Sequence, residues 1–235
     1  MLVDDDVLID SGSGVGDLTL DEMAGIRHIF LTHSHMDHVA FLPLLVDSIF
    51  ERIHEPIVIH GQPATIQALK EHVFNWAIWP DFAQLPVVNK PVMTYQEHQV
   101  GDICKVDGRK FESIPMNHIV PTVGYRVESA VGKSFAFTGD TTTNDTFWDV
   151  INGHGHLDLL LMEVAFSNEY EALSNSARHY CSNTAAQDLA KLKVEPQIYL
   201  THHKPEENDQ IRGELEKLLP GREVNQLKNN QVFSL

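Results

Sequence analysis

Residues 28–38 spell His-Ile-Phe-Leu-Thr-His-Ser-His-Met-Asp-His, an apolar run that leads directly into a turn rich in imidazole. The four polar side chains that follow the run are common metal ligands: His33, His35, Asp37 and His38. Alternate residues of an extended segment point to the same side, so His33 and His35 face one way. Asp37 and His38 enter a following helix and face another way, which allows the turn to serve two neighbouring cations. A polar loop that holds histidines by chance is the competing interpretation, but solvated loops favour Gly, Ser and Asn.

Matching ligands recur downstream. His118, Asp140 and His202 each follow an apolar run that predicts a β-strand. A residue at the end of a strand is held by rigid backbone and can be directed towards a cleft. Each of the three residues alone could be an ordinary packing or edge residue. Together with the first cluster, they predict one metal-binding constellation.

The composition supports a metal protein more than a nucleic-acid-coating protein. The 235 residues include 14 histidines, and 17 Lys and Arg stand against 33 Asp and Glu, a net charge of −16. Nonspecific binding to polyanions needs basic surface, so a protein that coats DNA or RNA is not expected. No apolar stretch approaches the roughly 20 residues that span a bilayer. The start has no signal-peptide pattern, and the two cysteines are too few for a disulfide framework. We therefore expect a cytoplasmic protein without membrane contact.

Short Val-, Ile- and Phe-rich runs alternate with helical patterns, which predicts an α/β fold. We expect one domain over residues 1–235, because no linker or composition shift interrupts it. Strands are predicted at 7–10, 28–32, 56–60, 110–115, 123–127, 134–138, 157–164 and 197–201. Helices are predicted at 37–52, 63–75, 184–192 and 208–219.

The whole set of motifs resembles that of the metallo-β-lactamase fold hydrolases, over essentially the entire chain. The family's motifs correspond, in order, to Asp10, to the group His33, His35, Asp37 and His38, and then to His118, Asp140 and His202. The resemblance implies a four-layer αβ/βα sandwich with a binuclear metal site between the sheets. It also departs from the family in one place. The family has a strand before the one that carries Asp10, and so little chain precedes Asp10 here that we expect this first strand to be missing.

The resemblance also implies how the ligands are shared. His33, His35 and His118 would bind one divalent cation, and Asp37, His38 and His202 the other. Asp140 would bridge both ions, and Asp10 would orient the ligands through hydrogen bonds. Nitrogen and oxygen ligands without cysteine fit Zn²⁺, our expected metal, and they also fit manganese or iron.

Further motifs favour phosphodiesters among the family's substrates. The segment Leu-Met-Glu-Val-Ala-Phe and the later Ala-Arg-His resemble the branch that includes ribonuclease Z, and they supply Glu163 and His179 as catalytic candidates beside Asp37. The aromatic stretch 74–82 strengthens a resemblance to the class II 3′,5′-cyclic-nucleotide phosphodiesterases. By that resemblance, its Trp76 and Trp79 would line the substrate pocket. The competing interpretation is that these aromatics simply pack a helix end. His203 is a further pocket candidate.

Charge separates the two phosphodiesterase branches. Ribonuclease Z typically carries a basic arm for tRNA, whereas the segment between His118 and Asp140 is short and this acidic chain has no Lys- and Arg-rich insertion. We therefore predict hydrolysis of cyclic AMP or cyclic GMP, a small phosphodiester substrate, to the nucleoside 5′-monophosphate. The family habit implies a homodimer. Alternatives are a ribonuclease Z-like enzyme, a thioesterase, a lactonase, or a noncatalytic di-iron binding module.

Overall fold

A computed structural model describes all residues 1–235, and they divide into two compact units. Unit 1 comprises Met1–Gln99 and unit 2 comprises Val100–Leu235. Each unit is built from one main β-sheet and a set of helices, so the predicted α/β class is confirmed. The prediction of one domain over 1–235 stays a prediction. None of the helices combines the length and apolar character needed to cross a membrane.

Unit 1 contains a five-stranded sheet in the order β1-β2-β3-β4-β7, in which all neighbours but β1 and β2 run parallel. Its strands are β1 Leu2–Val3, β2 Val7–Ile9, β3 His28–Phe30, β4 Ile57–Gly61 and β7 Met93–Glu97, and β5 Pro86–Val87 pairs separately with β6 Lys90–Pro91. Its helices are α1 Leu20–Gly25, α2 Met36–Val39, α3 Leu42–Ser48 and α4 Pro63–His72, with 3-10 turns at Ser13–Asp17 and Phe50–Arg52. A short strand therefore does precede the strand that leads to Asp10.

The core of unit 1 lies between one face of this sheet and its helices. Leu8, Ile29 and Ile59 are neighbours in the register of β2, β3 and β4 and are buried. Leu45 of α3 and Ile66 of α4 belong to the same apolar cluster. Burial of such side chains is the main favourable contribution to folding. The packing of these side chains holds in place the edge of the sheet from which the candidate ligand turn, residues 33–38, extends.

The predicted continuous helix over 37–52 is wrong. The chain forms two short helices and a 3-10 turn instead, with a break at Ala40 and Phe41. Pro43 explains the break, because it has no N–H to donate to the carbonyl of Val39 and its ring would clash with that carbonyl. α2 therefore remains one short turn that carries two candidate ligands.

Unit 2 contains a seven-stranded sheet in the order β14-β13-β12-β11-β10-β9-β8. Strands β8 to β11 pair antiparallel, and β11 to β14 pair parallel. The strands are β8 Ile103–Val106, β9 Arg109–Met116, β10 Thr122–Glu128, β11 Ser134–Phe137, β12 Leu159–Glu163, β13 Gln197–Thr201 and β14 Asn225–Gln226. The helices are α5 Asp145–His154, α6 Glu171–Ala177, α7 Ser182–Leu189 and α8 Asn208–Leu218, with a 3-10 turn at Asn168–Tyr170.

Helix α5 is the largest element that the sequence prediction missed. The side chain of Asn144 accepts a hydrogen bond from the N–H of Phe147 and caps the helix, and Gly155 ends it in the left-handed conformation. Phe147, Trp148 and Ile151 form its buried face and pack in the core of unit 2. Both caps and the apolar spacing are visible in the sequence, so this helix was predictable.

Candidate functional site

The candidate ligands of unit 1 follow β3. The backbone leaves the strand through the buried Thr32 and reaches His33, which is fully buried, and His35, which is half-buried. Ring nitrogens of His33 and His35 lie within 4.8 Å of each other. The turn then enters α2, where Nε2 of the buried His38 is 3.8 Å from Oδ2 of the exposed Asp37. The structure thus brings together the four predicted ligands of this unit as two pairs.

Asp10 makes hydrogen bonds to this cluster. Its Oδ2 accepts a hydrogen bond of 2.7 Å from Nδ1 of His38, and its Oδ1 accepts one of 2.8 Å from the N–H of Thr32. A carboxylate can only accept, so Nδ1 of His38 carries the proton and Nε2 keeps the lone pair that a metal needs. Asp10 adopts a left-handed backbone with φ 58°, which aspartate tolerates better than most residues. This contact is the one that its predicted orienting role requires.

Thr32 is a residue that the sequence reasoning did not single out. Its hydroxyl lies 2.9 Å from Oδ2 of Asp10 and 3.0 Å from Nδ1 of His33. Because the single hydroxyl proton is used towards the carboxylate, the oxygen accepts from Nδ1 of His33. The lone pair of His33 is then on Nε2, as in His38. The only sequence signal for this role is the position of Thr32 directly before the ligand motif.

The candidate ligands of unit 2 surround Asp140, which follows β11 and is buried. Its Oδ2 lies 3.9 Å from Nε2 of His118, and its Oδ1 lies 3.5 Å from Nε2 of His202. His118 follows β9, and His202 follows β13 in the left-handed conformation with φ 64°. Each carboxylate oxygen of Asp140 therefore faces a different imidazole, as a residue that bridges two cations must.

Glu163 and His179 form a buried pair in the same unit. Oε1 of Glu163, at the end of β12, accepts a hydrogen bond of 2.8 Å from Nδ1 of His179. Backbone N–H groups of Thr141 and Ala165 donate to the two Glu163 oxygens at 2.9 and 3.0 Å. Burial, and next the charge of Asp140, raise the pKa of Glu163. A cation at Asp140 would act in the opposite direction and favour the carboxylate.

His179 lies among the candidate ligands of its unit. Its ring stacks on that of His202, with centroids 5.3 Å apart, and meets the edge of the His118 ring at 4.9 Å. Glu163, His179 and His202 all offer ligand atoms within 4.8 Å of one another. With Nδ1 of His179 engaged by Glu163, Nε2 is the nitrogen that can act on a bound molecule.

The three predicted substrate contacts have different surroundings. Trp76 is exposed and has a positive φ of 66°, whereas Trp79 packs against the core of unit 1. Nδ1 of His203 is 2.7 Å from the carbonyl oxygen of Val164, so this nitrogen carries a proton and donates. Burial lowers the pKa of His203, which keeps the ring neutral with an accepting Nε2. Their roles towards substrate stay predictions.

Comparison with known proteins identifies the family. The model of the beta-lactamase superfamily domain matches residues 6–203, and the chain therefore belongs to this family. Its fold is shared with the metallo-beta-lactamase fold protein YhfI from Bacillus subtilis, with a TM-score of 0.74 and 21% identity over 97% of this chain and 86% of that chain. The predicted metallo-β-lactamase fold class is confirmed.

The names of two curated relatives denote enzymes that act on phosphodiester bonds. A 3′,5′-cyclic-nucleotide phosphodiesterase of Aliivibrio fischeri is 27% identical over 203 residues, which cover 69% of this chain. A ribonuclease Z of Mycolicibacterium paratuberculosis is 27% identical over 198 residues, 77% of this chain and 69% of the relative. The chain spans 59% of the length of the Aliivibrio fischeri protein.

Proposed function

We propose that this chain is a metal-dependent phosphodiesterase that hydrolyses 3′,5′-cyclic nucleotides to nucleoside 5′-monophosphates. The observation that carries the proposal is the buried hydrogen bond between Glu163 and His179, beside the candidate ligand Asp140. Such a pair resembles the acid–base residues of the phosphodiesterase branch of the family. The names of the two relatives point to the same bond type.

The ligand chemistry fits divalent cations. Nδ1 of His33, His38 and His118 is engaged by a hydroxyl, a carboxylate and a backbone carbonyl, respectively, so each ring keeps its lone pair on Nε2. We propose two cations, Zn²⁺ in the first instance and otherwise manganese or iron. The proposed ligands are His33, His35 and His118 for one ion, Asp37, His38 and His202 for the other, and Asp140 for both. Such a pair of cations, when bound, would supply a nucleophile from water at neutral pH and neutralise charge on the phosphoryl group.

His179 would move the proton. The oxygen of water would add to phosphorus and release one proton to the solvent, while the bond from phosphorus to the 3′ oxygen breaks. Protonated His179 would donate a proton from Nε2 to the leaving 3′ oxygen. Glu163 favours the protonated ring, because its carboxylate accepts from Nδ1. Asp37 would serve as a metal ligand at the solvent-exposed edge of the candidate site, because its side chain is more than half exposed.

Charge supports a small substrate over tRNA. A net charge of −16 repels a long polyanion, whereas one cyclic nucleotide carries a single charge that bound cations neutralise locally. A ribonuclease Z-like activity is the second candidate, because the Mycolicibacterium paratuberculosis relative aligns over 77% of this chain. Thioesterase, lactonase and di-iron binding functions have no comparable observation in their favour. A homodimer and a cytoplasmic location remain predictions.

The test is a substrate panel with metal analysis of the same batch. Purified protein is assayed with cyclic AMP, cyclic GMP, bis(p-nitrophenyl) phosphate, a thioester and a precursor tRNA. We expect turnover of the cyclic nucleotides, and a fall of roughly 100-fold or more in kcat for His179→Ala with unchanged metal content. The matched control is His154→Ala, which removes a histidine that pairs with Glu112 through Nε2 at 2.7 Å. Turnover of the thioester alone, or full activity of His179→Ala, would contradict the proposal.

A further inference from the structure

Arg178 and His118 are joined by two reciprocal hydrogen bonds. Nδ1 of His118 is 3.0 Å from the backbone carbonyl oxygen of Arg178. Nη1 of Arg178 donates in return to the backbone carbonyl of His118 at 2.9 Å. The residues are 60 positions apart in the sequence, so these bonds tie the end of β9 to the turn after α6. Arg178 is the middle residue of the Ala-Arg-His motif described above, in which only His179 was given a role.

The first bond decides which nitrogen of His118 can bind a metal. A carbonyl oxygen only accepts, so Nδ1 must carry the proton and Nε2 must hold the lone pair. That Nε2 faces Oδ2 of Asp140 at 3.9 Å. The carbonyl of Arg178 therefore sets both the tautomer and the direction of the ring.

The backbone of Arg178 is arranged for this contact at an energetic cost. It ends α6 in the left-handed conformation, with φ 54° and ψ 53°, which is unfavourable for a residue with a Cβ. Glycine would adopt this conformation without strain, but it could not make the second bond. The guanidinium bond to His118 is the gain that offsets the strain.

The same turn also positions His179. The residue follows Arg178 directly, and its N–H donates to the carbonyl of Ser174 at 3.0 Å. The hydroxyl of Ser174 donates to the carbonyl of His179 at 2.7 Å. One rigid turn thus holds the candidate proton donor and, through Arg178, a candidate metal ligand.

We propose that Arg178 is a positioning residue that fixes His118 as an Nε2 ligand and couples the metal site to His179. The proposal rests on the proposed function for its catalytic consequence. Its metal-binding consequence is independent of the substrate.

The test compares Arg178→Gly, Arg178→Lys and the control Arg222→Ala. The glycine variant removes the side chain and relieves the left-handed strain while it keeps the carbonyl. Arg222 also donates to a backbone carbonyl of its unit, that of Leu189, so its loss controls for a general effect on stability. The zinc dissociation constant is measured by competition with a chromophoric chelator.

We expect zinc affinity to fall roughly 10- to 100-fold in Arg178→Gly, the usual effect of losing a partner of a ligand. Lysine should recover part of the affinity, added guanidinium ion should rescue the glycine variant, and Arg222→Ala should bind zinc like the wild type. A folded Arg178→Gly protein with wild-type affinity would overturn the proposal.

A measurement on the wild type covers the case of a variant that does not fold. Nitrogen-15 NMR of the zinc-loaded protein should show His118 protonated at Nδ1 and coordinated through Nε2, and coordination through Nδ1 would overturn the proposal. The two proposals fail separately. Lost zinc affinity in a protein without phosphodiesterase activity refutes only the proposed function, whereas phosphodiesterase activity with unchanged zinc affinity in Arg178→Gly refutes only the role of Arg178.

Discussion

Replacing Asp10 by asparagine tests the candidate metal-ligand cluster of unit 1 by changing a single carboxylate oxygen to an NH₂ group. Asparagine has the same shape and also tolerates the left-handed backbone at this position. The carboxylate accepts from the N–H of Thr32 at 2.8 Å and from Nδ1 of His38 at 2.7 Å, one on each oxygen. An amide has a single acceptor oxygen, so its NH₂ group must face one of these two donors.

Both orientations of the amide are unfavourable. If the NH₂ group faces His38, the ring must move its proton to Nε2, which removes the lone pair for the metal. If it faces Thr32, a buried N–H loses its acceptor. We expect zinc affinity to fall roughly 10- to 100-fold, as measured for outer partners of metal ligands. Each tenfold loss corresponds to about 1.4 kcal/mol.

The assay is competition for zinc against a chromophoric chelator, followed by metal analysis after dialysis. Asp21→Asn is the matched control, because it removes the same charge from an exposed residue of the same unit that pairs with Arg52 at 2.6 Å. The control should bind zinc like the wild type. An Asp10→Asn protein with the zinc affinity of the control would refute the orienting role of Asp10.

Three further predictions concern other parts of the chain. Burial lowers the pKa of His60 from 6.5 to about 3, so the unfolded chain takes up the proton first, and stability that is full above pH 6.5 is lost as the pH falls towards 3. His60→Phe keeps the stacking on Phe30 and removes the titrating group. Between pH 7.5 and pH 5.0, the free energy of unfolding in urea should therefore fall by about 2 kcal/mol less in this variant than in the wild type. An equal fall in both proteins would contradict the lowered pKa of His60. Asp188→Asn should lower the free energy of unfolding by about 2–3 kcal/mol, because the buried carboxylate accepts hydrogen bonds from Tyr180 at 2.6 Å and from Trp148 at 3.0 Å. An unchanged calorimetric Tm would refute the stabilising role of Asp188. If Trp76 stacks on the base, Trp76→Ala should raise KM for cyclic AMP about fivefold or more with kcat unchanged, and an unchanged KM would exclude the stack.

The sequence was most informative where local pattern and chemistry coincide. The apolar run before His33 predicted strand β3, and the four ligands after it lie together as pairs. Asp140, His118 and His202 were predicted from single polar residues at strand ends, and they meet in unit 2. These residues lie close together because a strand end fixes the position of the next few residues whatever the rest of the fold does, and their roles as metal ligands stay predictions.

Asp10 was expected from the family resemblance, but the contacts that Thr32 and Arg178 make to the candidate ligands and their partners were beyond the sequence. Thr32 reaches Asp10 across 22 positions, and Arg178 reaches His118 across 60. Neither residue type signals such a partner, because the pairing depends on how distant strands are aligned. The left-handed backbone at Arg178 has no local signature either, since this region is more typical of Gly and Asn.

The most direct test of the central claim is a metal titration of cyclic AMP hydrolysis by the metal-free wild-type chain, with the product identified. The claim predicts that activity rises with added zinc, saturates at two equivalents per chain and yields the 5′-monophosphate. A chain that binds two equivalents of zinc and leaves cyclic AMP intact would contradict it.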